Sequence, residues 1–235
     1  MDGDDALRRA RRYFDAIAPG AEPSRRGTVE PEQNGERRLT IRKEGTTAYI
    51  KVGYHAPSAT DARFFPLLVL DAVLTGAKGL NLWSSFRVPP PQRSARLYRA
   101  LVERGLASSV SGFLMPTADP YLYTVSATVR DGTSLAAAES ALLDALDRVR
   151  RDGITAAELG KAKAQLRARL VFDNDSVTNI AHQLGYFETI GAPDVFTHAP
   201  ASIAAVTIEQ VGAAAEHVLA PSCRTVGWFD PQRAA

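Results

Sequence analysis

Apolar residues along this chain recur with two different periods, and the two periods fall in separate blocks. In residues 46–56, Ala48, Ile50, Val52 and Tyr54 alternate with Tyr49, Lys51, Gly53 and His55, the period of a strand with one covered face. Residues 37–44 read as a strand before it, across a turn at Gly45. The stretch 106–114 and 120–130 predicts a hairpin around Pro116–Asp119. Its second strand sets Tyr121, Tyr123, Val125, Ala127 and Val129 against Leu122, Thr124, Ser126, Thr128 and Arg130. A last strand is expected over 223–229.

Helical spacing governs the rest. Leu7, Ala10, Phe14 and Ile17 predict a helix over 5–18, supported by acid-first pairs Asp4/Arg8 and Asp5/Arg9. An apolar helix is expected over 61–75, with Pro66 tolerable only near its first turn. A further helix covers 94–104, with Leu97, Leu101 and Val102 inward. Leu135, Ala138, Leu142, Leu146 and Val149 form one stripe over 134–151. Thr155 and Glu158 make a capping box with Ile154 and Leu159 as its staple, opening a helix that runs to about 172. Ile180, Leu184, Phe187 and Ile190 mark a helix over 176–190, ended by Gly191 and Pro193. Thr207 and Gln210, with Val206 and Val211, repeat the capping box. The order β-β-α-α-β-β-α-α-α-α-β predicts an α+β fold, a largely antiparallel sheet with helices packed on one face.

Residues 19–36, rich in Pro, Gly, Glu and Ser, read as a linker. The expected organisation is therefore a terminal helix (1–18) belonging to a preceding domain, the linker (19–36), and a main domain (37–235). The connection from Gly76 to Arg93 is unusually long and holds Trp83, Phe86, Arg87 and three prolines.

Composition narrows the possibilities. With 235 residues, 45% of them hydrophobic, the chain can bury a core without a metal or disulfide staple. A single cysteine, Cys223, excludes an internal disulfide framework and any Cys-based zinc cluster. The formal charge of +2 gives no reason to expect a nucleic-acid partner. The best apolar run, Phe64 to Leu70, is interrupted by Pro66 and stopped by Asp71, so no membrane span is expected. Asp2, Asp4 and Asp5 stand where a signal peptide would be basic, so none is expected; cytoplasm and periplasm both stay open.

Candidate chemistry is sparse. A hydrolytic zinc site needs about three His or carboxylate ligands. The four histidines are His55, His182, His198 and His217, and neither order of the paired-histidine helix motif is present. The nearest echo, Glu216-His217, has Ala213 where the first histidine belongs, and reads as surface. His55 reads as a strand-end residue and His182 as a structural one. Asp173-Asn174-Asp175-Ser176 opens like a calcium loop, but Thr178 and Leu184 occupy its required Gly and Glu positions, so Asp175 or Ser176 is expected to cap a helix. Gly76 to Gly79 is too short for a phosphate loop, and Cys223 is expected to be buried rather than reactive.

Several motifs in order resemble the pitrilysin/insulinase family of zinc peptidases, which includes the mitochondrial processing peptidase. They are Gly53-Tyr54-His55-Ala56-Pro57, Leu70 to Gly76, Ser94 to Ala107, Val125 to Val129, Gly153 to Leu159 with Lys161 and Lys163, Asp175-Ser176, and Leu184-Gly185-Tyr186. Together they cover roughly residues 37–229. The resemblance implies the LuxS/processing-peptidase-like metallohydrolase fold and, within it, the C-terminal domain that carries no zinc. It implies a non-catalytic half of a zinc metalloendopeptidase, walling a substrate chamber and helping to hold an extended peptide. Zinc is then expected on an absent N-terminal domain and not on this chain. The expected partners are that domain or a homologous partner subunit, and the peptide. Many members donate an Arg and a Tyr to the substrate from this domain; those positions fall here on Leu101 and Ser108, so no catalytic role is carried over. The alternative is a binding or assembly module of an inactive member. In either case Trp83, Phe86 and Arg87 are the candidate peptide- or partner-binding residues.

Overall fold

The structure is a computed structural model and describes residues 2–21, 30–80 and 92–232. The chain forms two units, residues 1–32 and 33–235. In the first, helix α1 (Gly3–Phe14) is capped by the Asp2 side chain on the Asp4 amide and buries none of its residues. It stops at Phe14 rather than 18, leaving Ile17 beyond its end.

The second unit is built on one five-stranded sheet. Its strands are β1 (Arg37–Glu44), β2 (Tyr49–Ala56), β3 (Ala107–Leu114), β4 (Tyr121–Val129) and β5 (Arg224–Gln232), in the order β1-β5-β2-β4-β3. Every pairing is antiparallel except β1 with β5. The sheet is thus largely antiparallel, as the sequence predicts, but Gly45 does not turn a hairpin. Strands β1 and β2 are consecutive and do not pair, because β5 lies between them. The reason is physical. Toward the helices β1 offers Arg38, Thr40 and Arg42, and all eight of its residues are exposed, so it suits only an edge. Strand β5 offers Val226, 1% exposed, and Trp228 at the same level of the sheet, and can continue the covered face.

The covered face is formed by Ile50, Val52, Tyr54 and Ala56 of β2 and by Tyr123, Val125, Ala127 and Val129 of β4. Helix α2 (Phe64–Thr75) packs against β3 and buries ten of its twelve residues, with Pro66 in its first turn. Each buried aliphatic side chain contributes roughly 1.5–3 kcal/mol. Helices α3 (Leu135–Asp152), α4 (Ala156–Asp173) and α5 (Val177–Thr189) follow β4, and α8 (Ile208–Val218) precedes β5. Helices α3 and α8 touch β2, while α4 packs on the back of α2. Both predicted capping boxes form, at Thr155/Glu158 and Thr207/Gln210.

Other elements depart from the sequence reading. The helix expected over 94–104 is a short turn that widens into a π-helical turn at Tyr98–Val102. Two short helices, α6 (Pro193–Thr197) and α7 (Ala199–Ala205), occupy the stretch after Gly191. They are too short to show helical periodicity, but Val195, Ala199 and Ile203 are buried in the core. Ser176 holds the N-cap position of α5, yet its side chain caps nothing.

Candidate functional site

Helices cover one face of the sheet; the other face carries the candidate site. Strand alternation dictates which residues line it. Opposite Ile50, Val52 and Tyr54, strand β2 presents Tyr49, Lys51, Gly53 and His55. Register then places Tyr49 beside Phe229, Lys51 beside Gly227, and His55 beside Leu122. Leu39 and Ile41 extend this surface onto β1, and Phe113 extends it onto β3. The result is a groove of about 640 Å³ across the strands. Its walls are mostly apolar: Leu39 is 47% exposed, Ile41 44%, Tyr49 47% and Phe113 43%. The rings of Tyr49 and Phe229 lie 5.9 Å apart and tilted, an attractive aromatic pair that remains open to solvent. Further along β2 and β5 from this pair the floor is low, because Gly53 and Gly227 place no side chain there.

A sheet face with this much exposed apolar surface among the described residues is costly. Patches of contiguous exposed apolar surface mark places where a partner or ligand binds. At the rim, Gln33 donates from Nε2 to the Arg224 carbonyl at 2.8 Å. Cys223 is half-buried there, its Sγ 3.8 Å from the Gln33 carbonyl oxygen, a weak contact for a thiol. Burial pushes the Tyr54 phenol up to about 12, so it stays protonated.

The sequence-predicted candidates fare differently. Trp83, Phe86 and Arg87 lie outside the described residues. The ends of their segment are described and lie together: Gly76 has φ +100°, and a Cβ on it would fall 2.4 Å from Gln92 Cγ. Leu101 is fully buried, so that position points into the core and not toward the groove. Ser108 is exposed at a bulge between Ala107 and Ser109, and its Oγ donates to the Thr128 carbonyl at 3.3 Å.

No group of three or more His, Cys, Asp or Glu that could hold a metal exists among the described residues. His55 lies on β2, His182 on α5, His198 between α6 and α7, and His217 on α8. His217 is exposed and sits 2.7 Å from the Arg63 guanidinium, while Glu216 beside it faces solvent. The residues present do not fit a zinc ion, and no reaction step runs through one here. Among the described residues no helix is long and apolar enough to cross a membrane.

The groove residues Leu39, Ile41, Tyr49, Lys51, Phe113 and Phe229 are those that sequence reasoning missed. Their signal is present in β2, where Tyr49 and Lys51 alternate with the covered Ile50 and Val52. It could not be completed from sequence, because Leu39 and Phe229 become neighbours of Tyr49 only through the insertion of β5.

Comparison with known proteins gives consistent results. Residues 1–166 match the family model described as the peptidase M16 inactive domain. An uncharacterized zinc protease of Mycobacterium tuberculosis is 31% identical over 93% of this chain and 47% of its own length. The Schizosaccharomyces pombe protein named probable mitochondrial-processing peptidase subunit beta is 26% identical over 77% of this chain and 39% of its own. The chain thus spans about half the length of the first of these relatives or less. Among solved structures, a protease from Helicobacter pylori superposes with a TM-score of 0.83 over 98% of this chain and 53% of that one. At 17% identity this likeness speaks for the fold.

Proposed function

Because the chain belongs to the peptidase M16 inactive-domain family, we propose that it is the non-catalytic C-terminal domain of a zinc metalloendopeptidase and forms half of a substrate chamber. In this reading the zinc sits on a preceding N-terminal domain or on a homologous partner subunit. When bound there, zinc would polarise the scissile carbonyl and supply the attacking water. Residues of this chain would hold an extended peptide and keep it from bulk water, moving no proton themselves. The observation that carries the reading is the mostly apolar groove of about 640 Å³ across the open face of the sheet. We assign residues 1–18 to the tail of the preceding domain, 19–36 to the linker and 37–235 to this domain. That α1 buries none of its residues, leaving Leu7, Tyr13 and Phe14 exposed, supports the first assignment. Trp83, Phe86 and Arg87 are proposed as a second peptide or partner contact.

A second reading is favoured by Leu101 and Ser108. Neither can supply the donors that active relatives are expected to use, which suits a binding or assembly module of an inactive member. Reconstitution distinguishes the two. Mixed with the zinc-bearing half, the chain is expected to raise cleavage of a fluorogenic peptide by about tenfold or more over that half alone. Cleavage by the isolated chain, or no effect of adding it, would overturn the first reading. Peptide capture by the mixture without cleavage would establish the second.

A further inference from the structure

The charges of β1 divide sharply between the two faces of the sheet. On the helix side, every arginine has a carboxylate. Arg38 reaches Glu36 at 2.5 Å and Glu139 at 2.7 Å, and Arg42 reaches Asp230 at 3.3 Å. On the open face, Arg37 and Lys43 flank Leu39 and Ile41, and Lys51 stands near the centre between Gly227 and Ser126. None of these three cations has an ion-pair partner among the described residues. The remaining outward positions of the five strands are Thr, Ser, Gly, His, Pro or apolar, and include no carboxylate. Among the described strand residues, the side chains of the open face are therefore apolar, aromatic or polar and, His55 aside, charged only positively, although the whole chain is nearly neutral at +2.

We infer that this face selects extended peptides that combine apolar with acidic side chains, a carboxylate meeting Lys51 while neighbouring apolar side chains lie on Tyr49, Phe229 and Leu39. The inference rests on the peptide-holding reading above and adds a substrate class to it. Strand spacing supports the fit. Residues two apart on one side of a strand are separated by roughly 6.6 Å, so an acid at Lys51 brings the next same-side residue to the Tyr49–Phe229 pair. Charges that meet inside an apolar groove are less screened than charges in bulk water, so one cation there discriminates more than it would on an open surface. A single-stranded nucleic acid would also meet the cations, but its bases need stacking platforms along a basic track. Here aliphatic Leu39, Ile41 and Leu122 supply much of the surface, which favours a peptide.

The test is fluorescence anisotropy with the 235-residue chain and two labelled decapeptides of equal apolar content, one bearing Glu and one Lys. The Glu peptide is expected to bind about tenfold more tightly at low salt, with the preference fading as ionic strength approaches about 0.5 M. Lys51 is exposed, so Lys51→Gln should remove most of the preference and Lys51→Glu reverse it. Equal binding of both peptides, or a preference that Lys51→Glu leaves intact, would overturn the acidic selectivity and leave the peptide-holding reading standing. Failure of both peptides to bind would overturn that reading and this inference together. Tighter binding of a single-stranded oligonucleotide than of the Glu peptide would also overturn the inference.

Discussion

Asp71 is a charged residue on an otherwise apolar helix, and it is only 2% exposed. Its carboxylate accepts from Lys78 Nζ at 2.7 Å, Thr75 Oγ1 at 2.7 Å and the Tyr123 hydroxyl at 3.0 Å. These contacts tie α2, the segment after it and β4 into one polar knot under the sheet. The knot also explains Gly112 on β3. A Cβ there would lie 2.1 Å from Asp71 Oδ1 and 2.8 Å from Thr75 Oγ1, so the strand can pass only as glycine. Removing one partner of a buried ion pair costs more than the pair itself contributes, because the other charge is left in a poor solvent. Lys78→Met is accordingly expected to lose about 3 kcal/mol in urea unfolding, and adding Asp71→Asn should recover about half of that. A loss below about 1 kcal/mol would mean that Thr75 and Tyr123 suffice.

Among the elements, the start of α4 is the most strongly specified. Thr155 Oγ1 accepts from the Glu158 amide, and the Glu158 carboxylate accepts from the Thr155 amide at 2.8 Å. The same carboxylate receives a two-pronged bond from Arg96, both contacts at 2.7 Å. A box readable from four residues of sequence is thus also the anchor for the turn before β3. Hydrogen bonds from Arg96 chiefly, with the Thr155 bonds adding to them, lower the Glu158 pKa from 4.5 to about 2. A depressed folded-state value contributes stability above the unfolded pKa and loses it as pH falls toward the folded one. About 30% of the Glu158 side chain meets solvent, so screening leaves roughly 1–2 kcal/mol of this. Glu158→Gln keeps the box but removes the charge. The difference in unfolding free energy between the native chain and this variant should therefore be constant above about pH 5 and shrink between pH 4.5 and about 2. A difference that does not change over that range would contradict the assignment.

At the scale of the whole molecule, the last strand is the keystone. Chain termini are usually dispensable. Here β5 pairs with β1 on one side and β2 on the other, and Trp228 Nε1 donates to Glu139 on α3 at 2.5 Å. Stopping the chain before Arg224 would strand β1 and expose Val52 and Ile50 at a new edge. Such a truncation is expected to abolish the cooperative thermal transition and the near-ultraviolet circular dichroism, since the loss rivals a typical total stability of about 5–15 kcal/mol. A sharp transition in the truncated chain would show that β2, β3 and β4 hold the helices without β5. The same topology builds the groove. Tyr49 and Phe229 are 180 positions apart in sequence and paired in the sheet only because β5 is where it is.

The sequence alone determined what depends on neighbours along the chain. Periods of two and near four placed the strands and long helices, Thr155 and Thr207 marked helix starts, and Pro66 could sit only in a first turn. Such signals are local because a hydrogen-bonded turn or a pleat is set within a few residues. Tertiary structure alone decided what depends on distant pairing: the separation of β1 from β2, the burial of Leu101, and the short helices α6 and α7 held by core contacts rather than by periodicity. It also gathered Lys51, Tyr49, Leu39 and Phe229 onto one uncovered face. Strand alternation states which residues share a side of a strand, but only the strand order states which strands share a sheet edge.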